Sequence, residues 1–232
     1  MMKGILLVDK PKDWTSFDVV NYVRRMVAKH EGKKPLKVKV GHTGTLDPAA
    51  TGLLVLCVSK EYTRKMPEFI KQDKTYEVEL TLGRESTTGD IEGDLTDVSK
   101  SIPSNKTVLD TLSSFVGTIE QLPPVFSAVK IDGKRAYERA RAGEKIEMKS
   151  REVKIYNIGS IEYNYPTIRF TASVSSGTYI RSLAVDIGAK LGTGAYMSAL
   201  NRIKIGSWEL NKAYSVSALT PELLQKTLEA YP

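Results

Sequence analysis

The segment GHTGTLDPAATG, Gly41 to Gly52, places one carboxylate, Asp47, in a loop almost without side-chain bulk. Gly41, Gly44 and Gly52 permit tight turns and the close approach of a large partner. Pro48 removes a backbone donor and fixes the turn directly after the acid. His42 adds a flat ring able to stack or hydrogen-bond near neutral pH. One loop carboxylate can perform covalent or acid–base chemistry when an arginine orients it and keeps it ionised. The alternative is an ordinary surface turn whose Asp only organises its own backbone. The apolar run Leu53 to Val58 follows at once, so the loop leads straight into a strand-like segment.

Other chemistries find little support. The chain carries no Walker loop, dinucleotide fingerprint, nucleophile elbow or zinc spacing. One Cys and two His cannot build a thiolate or histidine-rich metal site, and Cys57, inside LLVLCV, reads as a small buried residue. The acidic stretch TGDIEGDLTD, with Asp90, Glu92, Asp94 and Asp97, has its glycine misplaced for a calcium loop and lacks the distal Glu. It reads as a solvated acidic turn, so neither metal nor cofactor is expected. The formal net charge of +7 suggests an anionic partner such as nucleic acid. Lysines and arginines can take phosphates while Tyr and His faces take bases. Residue chemistry therefore reaches an RNA-acting enzyme, beside two rivals: a non-enzymatic RNA-binding module and a metal-dependent nuclease. Asp47 separates the first rival, because binding a polyanion gains nothing from an acid at the contact.

The elements that must position Asp47 can be sketched. At 232 residues the chain suits one large domain or two small ones. Gly4 to Val8 reads as a strand, and Ser16 as the cap of a helix carrying Phe17, Val20, Val23 and Val27. Thr75 to Leu82 alternates, with Tyr76, Val78 and Leu80 on one face. Gly83 to Asp97 reads as a long acidic loop, and Asn105 to Phe115 as a helix capped by Ser104. FSAVKIDGKRAYERARAG suggests a strand, an Asp-Gly turn and a basic helix. Val153 to Ile161 and Thr167 to Val174 are two further strands. SSGTYIRSLAVDIGAKLG gives a helix with Ile180, Leu183, Ala184, Ile187 and Leu191 buried and Gly192 at its end. Arg181 lies off that stripe beside Tyr179, where a solvated surface arginine is the simplest reading. Thr220-Pro221 opens a last helix. Without a βαβ rhythm, the expected fold class is α+β, with a mixed, mainly antiparallel sheet flanked by helices. The N-terminus is too short and too quickly charged for a signal peptide, no stretch reaches the length of a membrane span, and a cytoplasmic location is expected.

Five blocks stand in order along the chain: GILLVDKPKDWTS, GHTGTLDPAATG, KTYEVELTLG, QLPPVFSAVKIDGKRAYERARAG and SSGTYIRSLAVDIGAKLGTGA. At these residues the chain closely resembles the TruB family of tRNA pseudouridine-55 synthases. The resemblance implies the pseudouridine synthase catalytic fold over residues 1–215. It leaves residues 216–232 as a short C-terminal remnant without a complete PUA-type RNA-binding domain. It implies isomerisation of a tRNA T-loop uridine from an N- to a C-glycoside, with the base flipped out and no metal or cofactor required. By the same resemblance Asp47 is the catalytic carboxylate and Arg181 its charge partner, with Asp90 completing the network. Tyr76 stacks on the base and is a candidate for proton transfer. His42 fills space vacated by rearranged nucleotides, Tyr179 and Leu200 line the base pocket, and Lys130 contacts phosphate. The implied partner is the T-arm stem-loop of tRNA; a monomer with no membrane contact and no obligate protein partner is expected.

Overall fold

In the computed structural model, residues 1–127, 129–131, 133–144 and 146–229 are described. The chain divides into two compact units: Met1–Tyr76 with the segment from Asn201 onward, and Glu77–Leu200. The first unit opens with strand β1 (Gly4–Lys10), helix α1 (Ser16–His30), strands β2 (Val40–His42) and β3 (Thr51–Val58), helix α2 (Lys60–Ile70) and the start of β4 (Lys74–Leu82). The second continues β4, then adds β5 (Arg84–Ser86), β6 (Leu95–Asp97), α3 (Asn105–Ser113), β7 (Gly117–Gln121), β8 (Lys130–Ile131), β9 (Lys134–Arg135) and α4 (Ala136–Arg141). Long strands β10 (Arg151–Asn164) and β11 (Thr167–Val174) follow, then α5 (Ile180–Leu191) and β12 (Ala195–Ile205). The far end of β12 returns to the first unit, which closes with β13 (Trp208–Glu209), β14 (Tyr214–Ser215) and α6 (Pro221–Glu229).

The first unit explains why GILLVDK and TGLLVLCV are unbroken apolar runs. β1 pairs antiparallel with β3, setting Ile5 opposite Cys57, Leu6 opposite Leu56 and Leu7 opposite Val55. Alternate residues then feed two cores. Leu6, Val8, Leu54, Leu56 and Val58 pack with Val19, Val20, Val23 and Val27 of α1 and with Leu224 and Leu228 of α6. Ile5, Leu7, Leu53, Val55 and Cys57 pack with Tyr62, Met66 and Phe69 of α2 and with Trp208. A sheet covered on both faces has no polar side to alternate with. Each fully buried aliphatic side chain contributes about 1.5–3 kcal/mol. A one-residue slip would send every side chain into the wrong core, so the register is strongly determined.

In the second unit β10 pairs antiparallel with β11 and with β7. Ile168, Phe170, Ala172 and Val174 are buried, as their alternation predicts. The fold is α+β, with a mainly antiparallel sheet flanked by helices. The pairings of β1 with β14 and of β3 with β12 are parallel. Ser104 caps α3, α5 ends in left-handed Gly192, and α6 begins at Pro221.

Three local expectations change. The cap of α1 is Thr15, not Ser16: Thr15 and Asp18 form a reciprocal capping box. The Thr15 hydrogen bonds hold the Asp18 carboxyl below its usual range. Phe17 is 58% exposed beneath the Arg24 guanidinium, and Val19 takes its expected place in the core. The acidic stretch after Gly83 contains a hairpin, with Arg84 facing Asp97 across β5 and β6 and ion-pairing with it at 2.6 Å. Around the Asp-Gly turn, β8 and β9 are paired, while Asp132 lies outside the described residues. No described helix is long and apolar enough to cross a membrane.

Candidate active site

The Asp47 loop is held by its backbone. Ser16, freed from capping, turns its hydroxyl inward, accepts from the Leu46 N–H at 2.8 Å and donates to the Leu46 carbonyl at 3.0 Å. Just past the acid, the Pro48 carbonyl accepts from the Asp13 N–H at 2.9 Å and from Lys10 Nζ at 3.2 Å. Asp13 adopts φ +65°, a left-handed conformation that Asp tolerates better than most residues. Lys10 is fully buried and also donates to the carbonyls of Pro11 at 2.9 Å and Trp14 at 2.6 Å. Inside the loop the Ala50 N–H closes a turn onto the Asp47 carbonyl at 3.1 Å. Asp47 is itself half-buried.

Arg202, at the far end of β12, closes the base of this loop. It is 1% exposed and donates from Nε to the Leu53 carbonyl at 2.8 Å, from Nη2 to Gly44 at 2.9 Å and from Nη1 to Thr45 at 3.5 Å. Burial works against its charge; a hydrogen bond with the Tyr76 hydroxyl and the nearby Asp47 carboxylate work in its favour. Tyr76 is 8% exposed on the buried face of β4. His42 ends β2, opposite Leu56 and half-buried.

Lys74 begins β4, buried, and donates to the carbonyls of Ile70 at 2.7 Å and Gln72 at 2.5 Å, at the end of α2. Burial, then the Arg202 charge, push its amine from 10.5 down to about 8, opposed by Asp73. An amine lowered by folding is penalised while charged. Between pH 8 and 10.5 the unfolded chain holds the extra proton, so stability rises with pH across that window. The Lys74→Met variant should flatten this rise by up to about 1.4 kcal/mol per pH unit, read as the difference in urea-denaturation free energy from wild type. An unchanged slope would remove the assignment.

In the second unit, Tyr179 stands at the N-cap of α5. Its N–H donates to Gln121 Oε1 at 2.8 Å, and its carbonyl accepts from Gln121 Nε2 at 3.0 Å. Gln121 is fully buried, so one amide side chain clamps the tyrosine backbone from both sides. The Arg151 guanidinium lies 4.8 Å from the Tyr179 ring centroid and donates to the Gly177 carbonyl. Arg181 is not a solvated surface arginine. It is 7% exposed, pairs through Nε with Asp90 Oδ2 at 3.4 Å, and donates to the carbonyls of Phe126 at 2.9 Å and Thr88 at 3.3 Å. Asp90 also accepts from the Thr88 hydroxyl at 2.6 Å and the Glu92 N–H at 3.0 Å. The expected acidic turn therefore has one buried acid, Asp90, neutralised by a buried arginine. Leu200 is half-buried on β12. Lys130 falls in β8, and its side chain lies outside the described residues. Among the described residues no three His, Cys, Asp or Glu side chains are grouped to hold a metal ion.

Sequence reasoning overlooked Lys10, Gln121 and Arg202. Lys10 continues the face of Leu6 and Val8, and Arg202 shares a strand face with Leu200 by period two. A cation continuing a buried face must find acceptors, and that pattern was the available signal.

A profile of the TruB family pseudouridylate synthase N-terminal domain matches residues 29–180. A profile of the tRNA pseudouridylate synthase B C-terminal domain matches residues 181–231. The tRNA pseudouridine synthase B of Phocaeicola vulgatus is 43% identical over 227 residues, covering 97% of this chain and 95% of the relative. That of Clostridium perfringens is 43% identical over 227 residues, covering 97% of this chain and 74% of the relative. Among solved structures, a chain in a crystal structure of a Cbf5-Nop10-Gar1 complex superposes with a TM-score of 0.69 at 29% identity, over 93% of this chain and 53% of its own length. A chain in an H/ACA RNP bound to a substrate RNA containing 2'-deoxyuridine does so with a TM-score of 0.68 at 25% identity, over 99% and 56%. This chain thus spans about half the length of those two structural neighbours. With the two profiles matching in sequence and together running from residue 29 to residue 231, the chain belongs to the TruB family of pseudouridylate synthases.

Proposed function

We propose that this chain is a cytoplasmic, monomeric tRNA pseudouridine-55 synthase that acts on the T-arm stem-loop, with Asp47 as its catalytic carboxylate. The observation that carries the reading is the fixation of the Asp47 loop. Buried Lys10 and Arg202 and the inward-turned Ser16 grip backbone atoms on both sides of one half-buried acid. A preset carboxylate pays little reorganisation when charge develops in the reaction. Uridine loses its bond from C1′ to N1 and gains one from C1′ to C5; C5 gives up a proton and N1 ends with one. Atoms balance without water, oxidant or reductant, so carboxylate, tyrosine and arginine suffice.

The base must leave its stack before Asp47 can act. His42 takes the vacated space, Tyr76 stacks on the base, and Tyr179 and Leu200 shape its pocket. Arg181, with Asp90, serves the carboxylate as its charge partner, and Lys130 takes phosphate. Residues 1–215 carry this chemistry. The clamping of Tyr179 by Gln121 and the burial of Tyr76 support fixed aromatic positions rather than adaptable ones.

The test is incubation with an unmodified T-arm stem-loop transcript, followed by position-by-position mapping of pseudouridine. One modified T-loop position, formed without added metal or cofactor, is the expected result. An RNA bound tightly and left unmodified would favour the non-enzymatic binder instead.

A further inference from the structure

We infer that Arg202 is a positioning residue for the reaction: its buried guanidinium ties both arms of the Asp47 loop to each other and to the Tyr76 hydroxyl, fixing the aim of the carboxylate and giving it a standing countercharge. The inference rests on the proposed catalytic role of Asp47. Gly44 and Thr45 come three and two residues before the acid, and Leu53 comes just after the loop has re-entered β3. One planar group thus spans the loop where its two ends come together. The same group hydrogen-bonds Tyr76, which the reading places against the base. Carboxylate and phenol therefore share one support, and their relative placement is set by a rigid fork.

A staple for the fold alone would need acceptors but no nearby acid. Here the Asp47 carboxylate and the Tyr76 hydroxyl both favour the charge of the guanidinium, and the Lys74 ammonium is close enough to feel it. Lys10 donates to the Pro48 carbonyl, just past the acid. Asp73 is the further charge felt at Lys74. Arg202 and Lys10 therefore both hold backbone carbonyls of the loop, and Arg202 also hydrogen-bonds Tyr76. A lysine at this position would keep the charge and lose the fork. A glutamine would keep some hydrogen bonds and lose the charge.

The experiment uses the full chain as wild type, Arg202→Lys and Arg202→Gln, with a T-arm stem-loop transcript as substrate. Single-turnover rates at saturating RNA are measured against pH, alongside RNA affinity. The Asp47 carboxyl is titrated independently by carbon-13 NMR, its signal assigned by its loss in Asp47→Asn. For Arg202→Lys we expect a rate at least tenfold lower, affinity within threefold of wild type and an unmoved carboxyl titration. For Arg202→Gln we expect the carboxyl midpoint and the acid limb of the rate to move up together by about one pH unit. If Arg202→Gln does not fold, Arg202→Lys decides alone. A lysine variant within threefold of the wild-type rate, or a rate loss matched by its unfolded fraction, overturns the inference. An unmoved carboxyl in folded Arg202→Gln also overturns it. The NMR titration needs no turnover, so failure of the catalytic reading itself, seen as an active Asp47→Asn, is distinguishable from failure here.

Discussion

Asp47→Asn should bind a T-arm transcript within a few-fold of wild type and form no pseudouridine above about one part in ten thousand of the wild-type rate. The substitution keeps the volume and planar shape of the side chain, and the surrounding tethers reach backbone atoms of neighbouring residues. The loop should therefore keep its course. What is lost is the negative charge and the nucleophilic or basic oxygen, which an amide does not replace. Removing a group central to covalent or acid–base chemistry commonly costs about three to six orders of magnitude. Single-turnover assay with nucleoside analysis, beside a filter-binding isotherm, separates the two effects. Appreciable turnover in a correctly folded variant would end the claim that Asp47 is the catalyst.

Gly52→Ala should be the most damaging small substitution near the site. Gly52 lies at φ +100°, and the register of β3 with β12 sets it directly beside Arg202. A Cβ here would meet the Asn201 side chain and lie 2.5 Å from the Arg202 carbonyl oxygen and 2.7 Å from its nitrogen. The backbone conformation alone costs an L-residue about 1–2 kcal/mol. Overpacking against backbone that cannot rotate away adds about 1–3 kcal/mol. A total near 3–4 kcal/mol would lower the melting temperature by roughly 6–15 °C for a chain of this size. Thermal unfolding by circular dichroism measures it. The displacement of Arg202 should also lower the rate in the fraction that remains folded. A variant melting within about 2 °C of wild type would show that the two strands can separate here at little cost.

Periodicity located most elements because one face of each is dry. Ile168 to Val174 and Ile180 to Ile187 were readable in this way, and both are buried as their spacing predicts. What spacing could not convey was competition between neighbours for the same task. Thr15 and Ser16 are equally good caps in isolation; Ser16 is diverted because Leu46, thirty residues on, needs both its donor and its acceptor met. Arg181 looked solvated because a hydrophobic stripe ignores the polar residues beside it, and its partner Asp90 lies in a stretch that composition assigns to solvent. The hairpin of β5 and β6 was hidden because its strands are short, exposed and charged, with no apolar alternation to reveal them. The carboxylate at position 47 was legible from the small residues around it and from the family blocks. Its supports were not, since carbonyl acceptors leave no trace in residue identity.

The first unit is built from the two ends of the chain, with Met1–Tyr76 waiting for the segment that starts at Asn201. During synthesis the Asp47 loop emerges well before its guanidinium clamp, Arg202, which follows 155 residues later (202 − 47). A nascent chain therefore carries the acid throughout that interval without the group that closes the loop around it. An interrupted product, released before β12 is finished, would hold the acid of the proposed site without the clamp that shapes its loop.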